Sequence, residues 1–308
     1  MTINLNDVPR RMRQIVDTAG DLPPIPMAVV DAGEQYVLLG AHEAAQSGLI
    51  NPILIGQRNN IGPLLKDLGI PPDAYPIIEA GSDQAAAETG VQQVLEGKAL
   101  GLMKGWIHTD ILMHPVLAHL RTGRRVSHVF VVELPSYHKL LFVTDAAINI
   151  APDLLAKAEI LQNAVDLARL LGVGLPKVAA LSAIEVVKPA IASTIDAACL
   201  SKMAERKQIH HAVVDGPLAF DNAISRDAAQ VKGIESPVAG DVDILLAPDL
   251  NAGNILAKDL EYLAGATIAG IVVGARVPIV LPSRSDPPAA RLVSAAIAAI
   301  VHAHWNGG

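Results

Sequence analysis

MAVVDAGEQYVLLGAHEAAQSGLINPILIG, Met27 to Gly56, decides the fold. Its two ends, MAVVDA and PILIG, are short β-branched runs that are apolar on both faces, as strands covered by helices on either side must be. Between them EQYVLLGAHEAAQSG is rich in Ala and Leu and reads as a helix. A helix between two such strands returns the chain so that the second strand runs parallel to the first.

The same alternation fills most of the chain. YPIIEA precedes SDQAAAETGVQQVLEG, and ALGLMKG precedes TDILMHPVLAHL. Further on, KVAALSA, HAVVDGP, VDILLAPD, TIAGIVVGA and VPIVLP alternate with helical stretches. One place breaks the pattern: VSHVFVVEL and KLLFVTD are joined by PSYHK, which is too short for a crossover helix. The seam between two α/β lobes is therefore expected near Thr144. The last helix, expected from Pro288 to Ala303, is apolar nearly all round and should be buried against the first lobe.

A chain of 308 residues can bury a large core, and its 24 Lys and Arg against 31 Asp and Glu give a net charge of -7. No basic run is long enough to track a phosphate backbone, so nucleic acid is not an expected partner. Charges, prolines and glycines interrupt every apolar stretch before it reaches membrane-spanning length. The N-terminal MTINLNDVPRRMRQIVDTAG has no apolar segment behind its basic residues, and the single cysteine, Cys199, cannot form an internal disulfide. These features predict a soluble, cytoplasmic protein.

Open parallel sheets bind ligands beyond the carboxyl ends of their strands. The residues there are small and polar: Lys104 and Gly105, Thr144 and Asp145, Asp215 to Pro217, Pro248 to Asn254, and LPSRSDPPAAR from Leu281 to Arg291. The last of these has two readings. Asp286 or Ser285 caps a helix that begins at Pro287 and Pro288, with Arg284 solvated; or Ser283 and Arg284 hold an anionic substrate beside a helix N-terminus. In PDLNAGN, Asp249 and Asn251 are cap candidates, and Gly253 inside the helix costs about 1 kcal/mol relative to Ala unless something must approach the backbone. A ligand phosphate or a partner loop is the candidate for that approach. Asp215 reads as a turn former or a ligand contact.

Other chemistries have less support. His108, His114, His119 and His128 lack the spacing that places two ligands on one helix face, so no metal site is expected. Cys199 lies in the apolar helical context IDAACLSK and reads as a buried structural thiol. No GxGxxG follows a strand, so the dinucleotide fingerprint is absent.

Four stretches together resemble the phosphate acetyl/butyryltransferases, nearer the butyryltransferase branch. They are FVTDAAINIAPDLLAKAEILQNAVDLARLLG, VVDGPLAFDNAIS, KGIESPVAGDVDILLAPDLNAGNILAKDLEYLAG and IVVGARVPIVLPSRSD. The resemblance implies two α/β lobes with mainly parallel sheets and a cleft between them, as in the isocitrate/isopropylmalate dehydrogenase architecture. It assigns 1–144 plus 282–308 to the first lobe and 145–281 to the second. It implies interconversion of a short-chain acyl-CoA plus phosphate with an acyl phosphate plus CoA, with CoA as substrate and no cofactor, in a homodimer or higher homo-oligomer. By motif, Ser283 and Arg284 take catalytic roles. Ala290 stands where many acetyltransferases carry an aspartate, leaving Asp286 as the nearest carboxylate to act as base. His114 stands where an arginine is common. Lys104, Thr109, His114, Asp215, Asp249, Asn251, Gly253 and Asn254 are the substrate-binding candidates. Two rivals are a metal-dependent decarboxylating dehydrogenase on the same architecture and a catalytically silent acyl-CoA or acyl-phosphate binding protein.

Overall fold

The computed structural model describes residues 8–283 and 286–305, which divide into two compact units, 1–126 with 269–308 and 127–268. The first unit runs α1 (Arg10–Gly20), β1 (Ile25–Val30), α2 (Gln35–Gln46), β2 (Ile50–Gly56), α3 (Arg58–Asp67), β3 (Ile77–Glu79), α4 (Asp83–Leu95), β4 (Gly101–Lys104) and α5 (Thr109–His119). The second runs β5 (Ser127–Glu133), β6 (Leu141–Thr144), α6 (Leu154–Leu170), β7 (Lys177–Leu181), α7 (Ala192–Glu205), β8 (Val213–Leu218), α8 (Phe220–Ile224), α9 (Arg226–Val231), β9 (Ile244–Leu246) and α10 (Leu250–Tyr262). The chain then returns through β10 (Thr267–Val273) to β11 (Ile279–Val280) and α11 (Pro288–Trp305) of the first unit.

In the first unit the strand order is β3-β2-β1-β4-β11-β10. β2 and β4 flank β1 in parallel, β3 continues beyond β2, and β11 runs parallel to β4 with β10 antiparallel to it. The stretch from Met27 to Gly56 is indeed a parallel pair joined by α2, in register from Ile25↔Ile50 to Val30↔Ile55. From β1 the chain winds outward through β2 and β3, then resumes on the other side of β1 with β4. The carboxyl ends of β1 and β4 therefore form a topological switch point, where such sheets open a crevice.

α11 is apolar nearly all round because it is covered on several sides by α1, α2, β4 and β11. α1 turns Met12, Ile15, Val16 and Ala19 to the interior at helical spacing. Each larger side chain of that stripe contributes roughly 1.5–3 kcal/mol by leaving water. Helix starts follow local chemistry: Glu34, Ser82, Asp153 and Asp249 each accept a hydrogen bond from an N–H three residues on.

The second unit has strand order β5-β6-β9-β7-β8, parallel except for the β5–β6 pair. PSYHK does join two antiparallel strands, but both belong to the second unit. The division thus falls before Ser127 rather than after Thr144, and the return falls at Ala269 rather than after Leu281. The physical reason is that β6 pairs in parallel with β9, from Phe142↔Ile244 to Thr144↔Leu246, so the β5–β6 pair goes with the strands that follow it. The core of this unit gathers Val132, Leu141, Val143, Ala179, Leu181 and Leu245. Among the described residues, no helix is long and apolar enough to cross a membrane.

Candidate active site

The switch point of the first unit brings together most of the charged side chains that the sequence placed on the rim there. Lys104 is the last residue of β4 and is buried, with Nζ 3.4 Å from the Pro282 carbonyl oxygen. Gly105 follows because a side chain is impossible there: a Cβ would lie 2.1 Å from the Asp31 oxygen and 2.4 Å from that of Val30. The Gly105 and Trp106 N–H groups donate to those two carbonyls, at 2.8 and 3.0 Å, which fixes the end of β4 against the end of β1. Thr109 opens α5 and is half-buried; His114, a turn further on, is exposed.

Across from Lys104, the segment after β11 forms a tight turn. Ser283 donates its N–H to Asp286 Oδ2 at 2.7 Å, and the Asp286 N–H donates back to the Ser283 carbonyl at 3.2 Å. Asp286 is buried. The bonds its carboxylate makes here close the turn ahead of α11, whose first helical residue is Pro288. Arg284 and Ser285 lie outside the described residues.

Arg291 was not among the sequence candidates, yet it reaches both segments. Its side chain is wholly buried in the first turn of α11, Nη1 donates to the Lys104 carbonyl at 3.4 Å, and Nη2 donates to the Ser283 carbonyl at 3.2 Å. Burial lowers its pKa, and the charges of Asp286 and Glu34 oppose that shift. The guanidinium remains protonated at any physiological pH. Two buried cations, Lys104 and Arg291, thus stand at these strand ends, with the Asp286 and Glu34 carboxylates acting on Arg291. The one available sign was an Arg inside an otherwise apolar helix, and sequence alone reads such a residue as a solvated one.

In the second unit the rim residues have partners within the protein. Asp145, at the end of β6, is buried, and its carboxylate accepts from the N–H groups of His128, Ala147, Ile148 and Asn149 and from Asn149 Nδ2 at 2.6 Å. This bonding fixes the loop after β6. α10 packs on that loop: a Cβ at Gly253 would lie 2.4 Å from the Asp145 oxygen, and Asn254 Nδ2 donates to the Ala146 carbonyl at 3.1 Å. The close approach expected at Gly253 is real, but the chain's own backbone makes it. Asp249 caps α10, accepting from the Ala252 N–H at 3.0 Å, while Asn251 is exposed in the first turn and is not the cap. Asp215 is a strand residue of β8, not a turn former, and accepts from the Gly216 N–H at 2.8 Å. Cys199 is half-buried on α7.

At the ends of β7 and β9, Ala180, Leu181, Leu246, Ala247 and Pro248 line a small open depression with Ser193, Asp196, Ala197 and Leu200 of α7. Lys157 of α6 also lines it and is held by Asp196 at 2.6 Å, so its charge is already paired. Among the described residues, no group of three or more His, Cys, Asp or Glu side chains could hold a metal ion.

Comparison with known proteins points in one direction. Residues 77–299 match the family described as phosphate acetyl/butaryl transferase. The chain is 49% identical over 295 residues to the phosphate acetyltransferase of Rhizobium meliloti, covering 95% of this chain and 93% of that protein. It is 40% identical over 278 residues to the phosphate butyryltransferase of Clostridium acetobutylicum, covering 89% and 92%. Of these two, the acetyltransferase has the higher identity, the reverse of the expected leaning to the butyryltransferase branch. A branched-chain phosphotransacylase from Enterococcus faecalis V583 superposes with a TM-score of 0.77 at 32% identity, over 90% of this chain and 99% of that one. A phosphotransacetylase from Streptococcus pyogenes, at 24% identity and TM-score 0.80 over 95% and 99%, shares the fold.

Proposed function

The chain belongs to the phosphate acetyl/butyryltransferase family and is an acyltransferase that interconverts a short-chain acyl-CoA plus phosphate with an acyl phosphate plus CoA, and we propose that its phosphate is held at the ends of β4 and β11. The observation that carries this site is the convergence of Lys104, Ser283 and Arg291 at the switch point of the first unit.

The reaction sets the requirements. In the direction of acyl-CoA synthesis, the CoA thiol gives its proton to a base or to water, its sulfur attacks the acyl carbonyl, and the carbon–oxygen bond to phosphate breaks with the electron pair leaving on phosphate. A thiol with a pKa of about 8.5 is mostly protonated near neutrality, so proton removal is part of the barrier. Phosphate is already a good leaving group, and fixed cations around it stabilise the charge it gains. Lys104 supplies one such charge, and the Ser283 hydroxyl is a donor beside it. Arg284, matched by motif, supplies a bidentate fork on the same phosphate. The contacts of Asp286 support a structural assignment for it in preference to the role of base. His114, exposed on α5, is the weaker phosphate ligand.

The higher identity to the acetyltransferase supports acetyl-CoA as the preferred donor. A deeper pocket for one more methylene shifts that preference by only about 1–3 kcal/mol. The reaction as written needs neither metal nor cofactor. Cytoplasmic operation and a homodimer complete the reading, and sedimentation of the purified chain gives its mass.

Acyl phosphate formation from phosphate and acetyl-, propionyl- or butyryl-CoA, with and without EDTA, tests the proposal. Turnover unaffected by EDTA and fastest with acetyl-CoA is expected. Lys104→Met should raise the phosphate KM about tenfold or more and leave the CoA KM nearly unchanged. An unchanged phosphate KM would place the phosphate elsewhere.

A further inference from the structure

Arg291 has few partners for a buried cation. Of its five N–H donors, one on each terminal nitrogen reaches a backbone carbonyl, and no described residue accepts from Nε. An apolar side chain at this point of α11 would avoid the desolvation that a guanidinium incurs. The contacts it does make show what it does in this fold.

Its two carbonyl partners belong to the two segments that carry the site. Lys104 ends β4 and Ser283 follows β11, and one planar guanidinium bonds to both. α2 is shaped to admit it: at Gly40 a Cβ would lie 2.7 Å from Arg291 Cδ and 3.1 Å from Arg291 Cβ. Asp286 adds a counter-charge and holds Ser283 from the other side, through its N–H. Lysine is not equivalent here, because a compact ammonium on a single stem cannot span two carbonyls as a rigid fork does.

We infer that Arg291 is a positioning residue for phosphate: it clamps the backbone of Lys104 and Ser283 so that ammonium and hydroxyl meet the same anion. It acts through those two residues without touching substrate. The inference rests on the assignment of Lys104 and Ser283 to the phosphate site. Its loss should act on phosphate and acyl phosphate more than on CoA, because the two residues it holds are those assigned to phosphate.

The test uses full-length Arg291→Met, Arg291→Lys, Gly40→Ala and Lys104→Met, with steady-state kinetics in both directions and thermal unfolding of each. Arg291→Met should raise the phosphate KM about tenfold or more while the CoA KM moves less than about twofold, with Arg291→Lys intermediate. Gly40→Ala keeps the charge but displaces the side chain, on a helix where Ala is otherwise the better residue. It too should raise the phosphate KM, and it carries the test if Arg291→Met does not fold. A lowered melting temperature with both KM values unchanged in Arg291→Met and Gly40→Ala would make Arg291 a purely structural residue and overturn the inference. If Lys104→Met alone raises the phosphate KM, the site stands and the clamp fails. If Lys104→Met leaves that KM normal, the phosphate site itself is wrong and the clamp falls with it.

Discussion

The carboxylate of Asp286 is buried, accepts from the Ser283 N–H and faces the charge of Arg291, so part of its bonding and its charge are engaged within the protein. A general base for the CoA thiol needs a lone pair free to take a proton, and those contacts compete for the lone pairs of Asp286. Asp286→Asn keeps an oxygen for Ser283 but removes the charge opposite a buried guanidinium. It should therefore lower stability by about 1.5–3 kcal/mol, the worth of a hydrogen bond to a charged group, with turnover falling in proportion to the loosened turn. Urea unfolding and steady-state turnover on the same preparation decide it. A collapse of turnover at unchanged stability would return Asp286 to the role of base.

Gly253 shows how packing answers a question the sequence can only raise. A glycine inside α10 announces a close approach, and the approaching atom is the Asp145 oxygen at 2.4 Å from an imagined Cβ. Gly253→Ala must push α10 off the loop after β6, with an expected loss of about 1–3 kcal/mol. Gly20, the last residue of α1, has nothing within 4 Å of an added Cβ, and Gly20→Ala should add about 0.4–1 kcal/mol. Opposite signs in urea unfolding check both, and equal effects would contradict the packing argument. The parallel strands and their helices were legible because apolar runs on both faces admit few other arrangements, as Met27 to Gly56 shows. The seam was misplaced because PSYHK marks a hairpin without saying which unit owns both strands. On the rim, Lys104 and Ser283 were legible as strand-end residues. Arg291 was not, because burial depends on α1 and α2 covering α11 from elsewhere in the chain.

Stability against pH is where buried titratable groups add up, and His128 dominates one window. It lies in β5, wholly buried, with no described partner at Nδ1 or Nε2 and the ring of Phe130 edge-on at 4.3 Å. Burial pushes its pKa down from 6.5 to about 4, and the nearby Asp145 charge offsets only part of that. Between those two values the unfolded chain binds a proton that the folded chain refuses. Stability is therefore intact above pH 6.5, falls by up to about 1.4 kcal/mol per pH unit as the pH drops towards 4, and levels off below. His302, lowered by partial burial, tilts the curve the same way. Asp241 acts in a separate, more acidic window: burial raises its pKa, but Lys177, Lys139 and His138 outweigh that and hold it below the ordinary 3.8. The difference between the protein and His128→Leu, which has similar volume and no titration, isolates the histidine. Urea unfolding of both at about pH 7.5 and about pH 4.5 should show the variant gaining on the wild type by about 2–3 kcal/mol at the lower pH. A stability difference that stays constant with pH would mean that His128 takes up a proton in the folded protein as readily as in the unfolded chain.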